Sequence, residues 1–384
     1  MIPLSVPNLK GNEEKYVVDA IRSEWVSAAG NYVNRFENNI KKYLKVDNAI
    51  ACQSGTAAIH LALKLSGVTP HSEVIVPTLT FIAAVNPVKY LGAEPVFMDC
   101  DDGLNLDCEK LEQFFKEECT LTKKGLINKT TNRCIKAVVV VHVFGNMAAI
   151  EEVKELTDKY NIKLIEDATE ALGTCFIAGK YKGKFAGTIG DFGAYSFNGN
   201  KIITTGGGGA LVGGSAKDIK MAKYLSTQAK DDELYYVHDN IGYNYRMSNL
   251  QAALGVAQLE KLEEFIEIKI KNYEAYKAKI SNINGFSLLK FNDKARNNHW
   301  FYSLCIDNNE INRDELLQYL LKNQIQTRPI WKLIHTQKPY KNNQAYKIEK
   351  AIDYYNKVLN IPCSSNLKQE SIGYIVRVLG NIKK

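Results

Sequence analysis

Apolar positions recur along this chain in two alternating rhythms. Val17, Val18 and Ile21 predict a helix over 11–24, and Val33, Phe36, Ile40 and Tyr43 share one face of a second helix over 33–44. A short apolar run at 49–52 then reads as a buried strand, with small residues and a helix start behind it. Further strands are predicted at 73–78, 94–99, 135–144 and 162–167. Helices between them are predicted at 81–91, 107–119 and 150–160, and residues 123–133 read as a polar hairpin or loop. This βαβα alternation predicts a mostly parallel sheet covered by helices.

Beyond residue 194 the rhythm changes. The run Ala194-Tyr-Ser-Phe197 reads as a strand, and Ile202–Thr205 as another strand start leading into four glycines, 206–209. Helices follow over 217–226 and, as one long rod, from 249 to 268 and beyond. The rod links a large unit, 1–255, to a smaller C-terminal α/β unit, 256–384. That unit has strands at 300–306 and 325–330 and helices at 313–323 and 348–359.

Composition narrows the class. Hydrophobic residues make up 45% and charged ones 24% of 384 residues, the balance of a soluble globular chain with room for a sizeable core. The net charge of +7 is spread among interspersed acids, so a nucleic-acid surface is the weaker reading. Eight scattered cysteines form no C-x-x-C pair and no zinc spacing, which points to reduced thiols, no metal site and a cytoplasmic setting. The N-terminus lacks the apolar run of a signal peptide, and no stretch is apolar enough to span a membrane. Neither a G-x-G-x-x-G nor a Walker A pattern occurs.

Candidate chemistry lies where strands end. Ser54-Gly-Thr-Ala57 joins a strand to a helix start, where free N–H groups and the helix dipole favour a phosphate; plain capping of the helix is the other reading. Asp167 closes a buried strand, and Phe81 begins a helix. Lys201, between strand-like runs and beside the glycines, is either an ordinary loop lysine or an amine nucleophile activated by lost solvation. An amine, a buried carboxylate, a phosphate turn and a stacking aromatic together suit pyridoxal phosphate (PLP). His142, within a buried strand, reads as a core histidine rather than a catalyst.

The motifs Ser54-Gly-Thr-Ala-Ala58, Pro77-Thr-Leu-Thr-Phe81, Glu166-Asp-Ala-Thr-Glu170, Ser196-Phe-Asn-Gly-Asn-Lys201, Gly206–Gly209 and Gly242-Tyr-Asn-Tyr-Arg-Met-Ser248 occur in one order. Over nearly the whole chain they resemble the DegT/DnrJ/StrS family of PLP-dependent nucleotide-sugar aminotransferases. The resemblance implies an α/β fold of fold type I. It makes Lys201 the lysine that holds the cofactor and Asp167 the partner of its pyridine nitrogen. Thr56, Ala57 and Ser196 fall around the cofactor phosphate, Gly55 and Asn198 are further cofactor contacts, and Phe81 stacks on the ring. Asn244 reaches the phosphate from a second subunit, so the resemblance implies a homodimer. Relatives carry His or Gln at Glu170, near the cofactor's phenolic oxygen, and a glutamate there needs a proton or a bridge. Trp25, Ser27, Arg246, Arg328 and His335 are expected at the substrate end. Dehydratases of this fold replace the lysine with histidine, so Lys201 argues for transamination. The expected donor is L-glutamate and the acceptor a nucleotide-linked 4-keto-6-deoxy sugar: UDP-2-acetamido-4-keto-2,4,6-trideoxyglucose, as in bacillosamine or legionaminic acid synthesis, or the GDP-linked ketone of perosamine synthesis. A catalytically silent PLP-binding regulator or scaffold is the rival from another class.

Overall fold

A computed structural model describes residues 1–308 and 310–382. Its central sheet runs in the order Ala49–Cys52, Gly209–Gly213, Phe192–Ser196, Lys163–Asp167, Cys134–Val141, Ser72–Pro77, Glu94–Met98, Ala345–Tyr346. From Phe192–Ser196 to the Ala345–Tyr346 edge every neighbour is parallel. Gly209–Gly213 and Ala49–Cys52 add as antiparallel strands at the other end. The middle strands are apolar on both faces because helices cover both, and buried residues form one cluster on each side. Asn31–Leu44 turns Val33, Phe36, Ile40 and Leu44 inward, as its periodicity predicts. The hairpin or loop expected over 123–133 is a hairpin that begins earlier, over 119–128, attached to the start of Cys134–Val141.

Five local expectations are corrected. Residues 202–205 are not a strand. The partner of Phe192–Ser196 is Gly209–Gly213, and 197–208 is the loop between them, pinned by the Thr205 N–H to the Phe197 carbonyl (2.8 Å) and the Phe197 N–H to the Gly208 carbonyl (2.9 Å). The rod from 249 breaks into Asn249–Leu259 and Leu262–Ile280, where Glu260 accepts hydrogen bonds from Asn12, Tyr16 and Arg35. In the strand expected over 325–330 only Arg328–Pro329 joins a sheet, Ile325 making an isolated bridge to Ile2, and the helix expected over 348–359 stops at Lys357, after which Val358–Ile361 joins a sheet. Residues 81–91 form a 3₁₀ turn and a short helix, with Pro87 in the first turn, where its missing N–H costs nothing.

A second, antiparallel sheet has the order Phe286–Leu288, Tyr302–Ile306, Val358–Ile361, Arg328–Pro329. Two stretches tie it to the first. The N-terminal arm bridges Ile2 to Ile325, Leu4 accepts from the Cys363 N–H (2.8 Å), and farther along the Asn8 carbonyl accepts from Gln258 Nε2 (2.9 Å) in helix Asn249–Leu259. Downstream, Ala345–Tyr346 pairs with Glu94–Met98 in the central sheet, and Asp99 accepts from the N–H groups of Glu349, Lys350 and Ala351 at the start of the next helix.

Candidate active site

The parallel strands end beside a cavity of about 550 Å³. Its walls include Gly55, Thr56, Phe81, Asp167, Glu170, Ser196, Asn198 and Lys201 from the central sheet's side, and Trp300, Arg328, Trp331 and Asn360 from the second sheet's side.

The phosphate turn is built by close approach. Ser54 caps helix Gly55–Leu65, its hydroxyl accepting from the Ala57 N–H (3.1 Å). Gly55 and Thr56 stand at the first two helical positions, whose N–H groups have no intrahelical carbonyl to reach. A Cβ on Gly55 would lie 2.9 Å from Ser196 Cβ, and one on Gly209 would lie 2.4 Å from the Ser54 carbonyl, so glycine is required at both. Ala57 needs correcting: its N–H is already spent on the cap, and it does not line the cavity.

Asp167 is the last residue of its strand and 3% exposed. One carboxylate oxygen accepts the Thr169 N–H at 3.0 Å. Burial pushes this carboxyl upward, and the facing Lys201 charge pulls it back. A buried carboxylate with acceptor capacity left on the cavity side favours a cationic N–H there.

Lys201 and Glu170 meet in the wall, Nζ to Oε1 3.6 Å, with side chains 12% and 2% exposed. Burial holds the lysine amine below its ordinary value; Glu170 and Asp167 oppose that. Burial likewise pushes Glu170 up to about 7, against the pull of Lys201. The Phe144 N–H donates to the other Glu170 oxygen at 2.8 Å. The two Glu170 oxygens thus meet an amine and a backbone N–H. Lys201 Nζ also lies 3.9 Å from the centre of the Trp300 ring.

Nearby His142 is fully buried and fully used. Its Nδ1 accepts the Ala148 N–H (3.1 Å), so Nε2 carries the proton and donates to Glu166 (2.9 Å). Glu166 also gathers the N–H groups of Gly187, Ile189 and Gly190, which fixes the loop beside the sheet.

Besides Ala57, five expected residues lie outside the cavity. Arg246 is corrected as a substrate contact: its guanidinium is buried against Glu37 and donates to the Ala51 carbonyl (3.1 Å), locking the first strand. The His335 ring nitrogen is engaged by the Thr78 hydroxyl at 2.6 Å. The Ser27 carbonyl accepts the Asn249 N–H, Trp25 is 59% exposed, and Asn244 is exposed with Gln228 on its side chain. Trp300 and Gln53 line the cavity without having been singled out. The cue for Trp300 was an indole closing the polar run Asn297-Asn298-His299 just before a buried strand.

These residues fit PLP: an activated amine, a carboxylate for a ring nitrogen, exposed Phe81 at the cavity edge, and an anion turn at a helix N-terminus. The sequence pattern of the DegT/DnrJ/EryC1/StrS aminotransferases matches residues 7–380. The Bacillus subtilis (strain 168) protein EpsN is 37% identical over 98% of this chain and 95% of its own. The Escherichia coli O157:H7 GDP-perosamine synthase is 36% identical over 97% of this chain and 96% of its own. Among solved structures, a DegT DnrJ EryC1 StrS aminotransferase from Brucella abortus superposes with a TM-score of 0.86 at 25% identity, covering 96% of this chain and 94% of its own. With site, fold and relatives in agreement, the chain belongs to the DegT/DnrJ/EryC1/StrS aminotransferase family and is a PLP-dependent enzyme.

Proposed function

We propose that this enzyme transfers the amino group of L-glutamate to C4 of a nucleotide-linked 4-keto-6-deoxy sugar. The observation that carries this reading is the grouping of Lys201, Glu170 and Asp167 in one wall of a cavity of about 550 Å³, facing Arg328 and Trp331. Bound PLP supplies an electron sink that lets a proton leave the donor's Cα. Lys201 Nζ first holds the cofactor and then, once free, takes that proton. Glu170, with its carboxyl near neutrality, returns a proton to Nζ or accepts one from it. Asp167 keeps the ring nitrogen's proton in place, Gly55, Thr56 and Ser196 hold the phosphate, and Phe81 covers the ring. Arg328 is suited to a diphosphate or a carboxylate.

Whole-chain likeness to a GDP-perosamine synthase supports a GDP-linked 4-keto-6-deoxymannose as acceptor. The runs Trp25–Gly30, Gln326–Trp331 and His335–Tyr340 favour a second reading, UDP-2-acetamido-4-keto-2,4,6-trideoxyglucose. The working unit is a homodimer: the segment carrying Asn244 also exposes Leu234, Tyr235, Tyr236 and Ile241, an apolar face suited to a second copy. The test is a panel of UDP-, GDP- and dTDP-linked 4-keto sugars with glutamate and PLP, read by product mass. One amino sugar should form together with 2-oxoglutarate. A yellow protein that answers glutamate but aminates no member of the panel would refute the substrate class.

A further inference from the structure

We propose that Trp300 is a positioning residue that clamps Lys201 from two sides, through its backbone and through its head group. The proposal rests on the reading of Lys201 as the reacting amine.

The indole N–H of Trp300 donates to the carbonyl of Asn200, the residue before Lys201, at 2.7 Å. Its ring face lies 3.9 Å from Lys201 Nζ. Trp300 is itself held. Its backbone N–H donates to Asn298 Oδ1 (3.0 Å), and Asn298 Nδ2 donates to the carbonyls of Glu170 and Leu172, both at 2.9 Å. The Asn298 N–H in turn donates to the Thr174 hydroxyl at 3.0 Å. Glu170, Lys201 and Trp300 therefore form a closed triangle whose third side runs through Asn298. The indole is 3% exposed and packs on Phe301 and Phe144, with ring centres at 4.2 and 6.2 Å.

Without the indole, the four-carbon stem of Lys201 is free to swing. Trp300 stands between the main cavity and a small void lined by Lys269, Gln258 and Ser364, and Lys201 borders both. The ring closes that side and offers a π face that attracts the ammonium form. A lysine released during turnover is then kept beside Glu170 and the cavity, its rotational freedom already lost before it reacts.

The test follows covalent capture of PLP by cofactor-free protein, read by absorbance in stopped flow, in the parent and in Trp300→Phe, Trp300→Leu and Lys201→Ala. Trp300→Phe keeps a ring face and loses the bond to Asn200; Trp300→Leu loses both. Capture should slow by about threefold in the first and about tenfold or more in the second, and kcat should fall while KM for glutamate holds. Capture at the parent rate by folded Trp300→Leu overturns the proposal. If that variant does not fold, an unchanged rate in Trp300→Phe overturns it. Parent-rate capture by Lys201→Ala refutes the reading of Lys201 itself, and the clamp with it.

Discussion

Lys201 Nζ and Glu170 Oε1 stand 3.6 Å apart in a nearly dry wall, and burial drives both toward their neutral forms. Glu170→Gln removes the carboxylate that keeps the lysine charged, so the amine's pKa falls further. PLP capture by the cofactor-free variant at pH 7 should be as fast as in the parent or faster. Turnover should drop by about 10²-fold, because the proton partner is gone. The raised Glu170 carboxyl, about 7 against an ordinary 4.5, contributes stability below pH 4.5 that is lost as pH rises through 7. Melting curves of the cofactor-free proteins between pH 4.5 and 8 should therefore slope less in Glu170→Gln.

Gly55→Ala places a methyl group 2.8 Å from Thr169 Cγ2 and 2.9 Å from Ser196 Cβ, so the turn must part from the strand beside it. Overpacking of this kind costs about 1–3 kcal/mol. Thermal unfolding should show the loss, and a PLP titration should show weaker binding.

His299 is 8% exposed, stacked on Tyr273 at 4.3 Å, with burial pushing its pKa down to about 3. Below pH 6.5 the unfolded chain takes up a proton that the folded chain refuses. Stability then falls with pH, by up to about 1.4 kcal/mol per pH unit, until about pH 3. His299→Asn suits the backbone here (φ 50°) and cannot titrate. It should lower stability at pH 7 through lost stacking, yet flatten the acid limb in denaturant titrations from pH 6.5 to 4.

Arg246→Ala leaves the mostly buried Glu37 carboxylate with the Ala51 N–H but without its cation. The expected cost is about 3–5 kcal/mol of stability, seen in chemical denaturation. KM for the sugar nucleotide should hold in the surviving folded protein. A selective rise in KM would restore Arg246 as a substrate contact.

Ile241 is 86% exposed in the segment that carries Asn244. In the proposed homodimer with shared sites, Ile241→Asp should yield a monomer by sedimentation, with little change in melting temperature and with activity lost.

The parallel core was readable because its strands are long apolar runs, such as 137–141, whose pattern survives without knowledge of their partners. Asp167 and Ser54 stood out because each lies at or just past a strand end, and Lys201 because polar residues and glycines punctuate the loop that carries it. Ile202 and Ile203 misled because the pattern records burial rather than pairing, and Ile203 packs in the core from a loop. The grip of Trp300 was hidden for a different reason: its partners lie about 100 residues away, and nothing local announces them. Ala57 was misread because phosphate binding and capping compete for the same N–H, and only geometry shows which has it.

The stitching of the two sheets bears on how ligands enter. The wall that carries Arg328, Trp331 and Asn360 is fastened to the parallel sheet downstream by Ala345–Tyr346, and the N-terminal arm pairs with it at Ile325 and leads on to helix Asn249–Leu259, where Gln258 donates to the Asn8 carbonyl. A wall held in this way cannot swing as a hinged jaw without breaking the pairing of Ala345–Tyr346. Passage of a substrate as large as a nucleotide sugar therefore falls to side chains at the mouth, Phe81 and Arg328 foremost. The speed of exchange should follow their rotamers rather than any opening of the molecule.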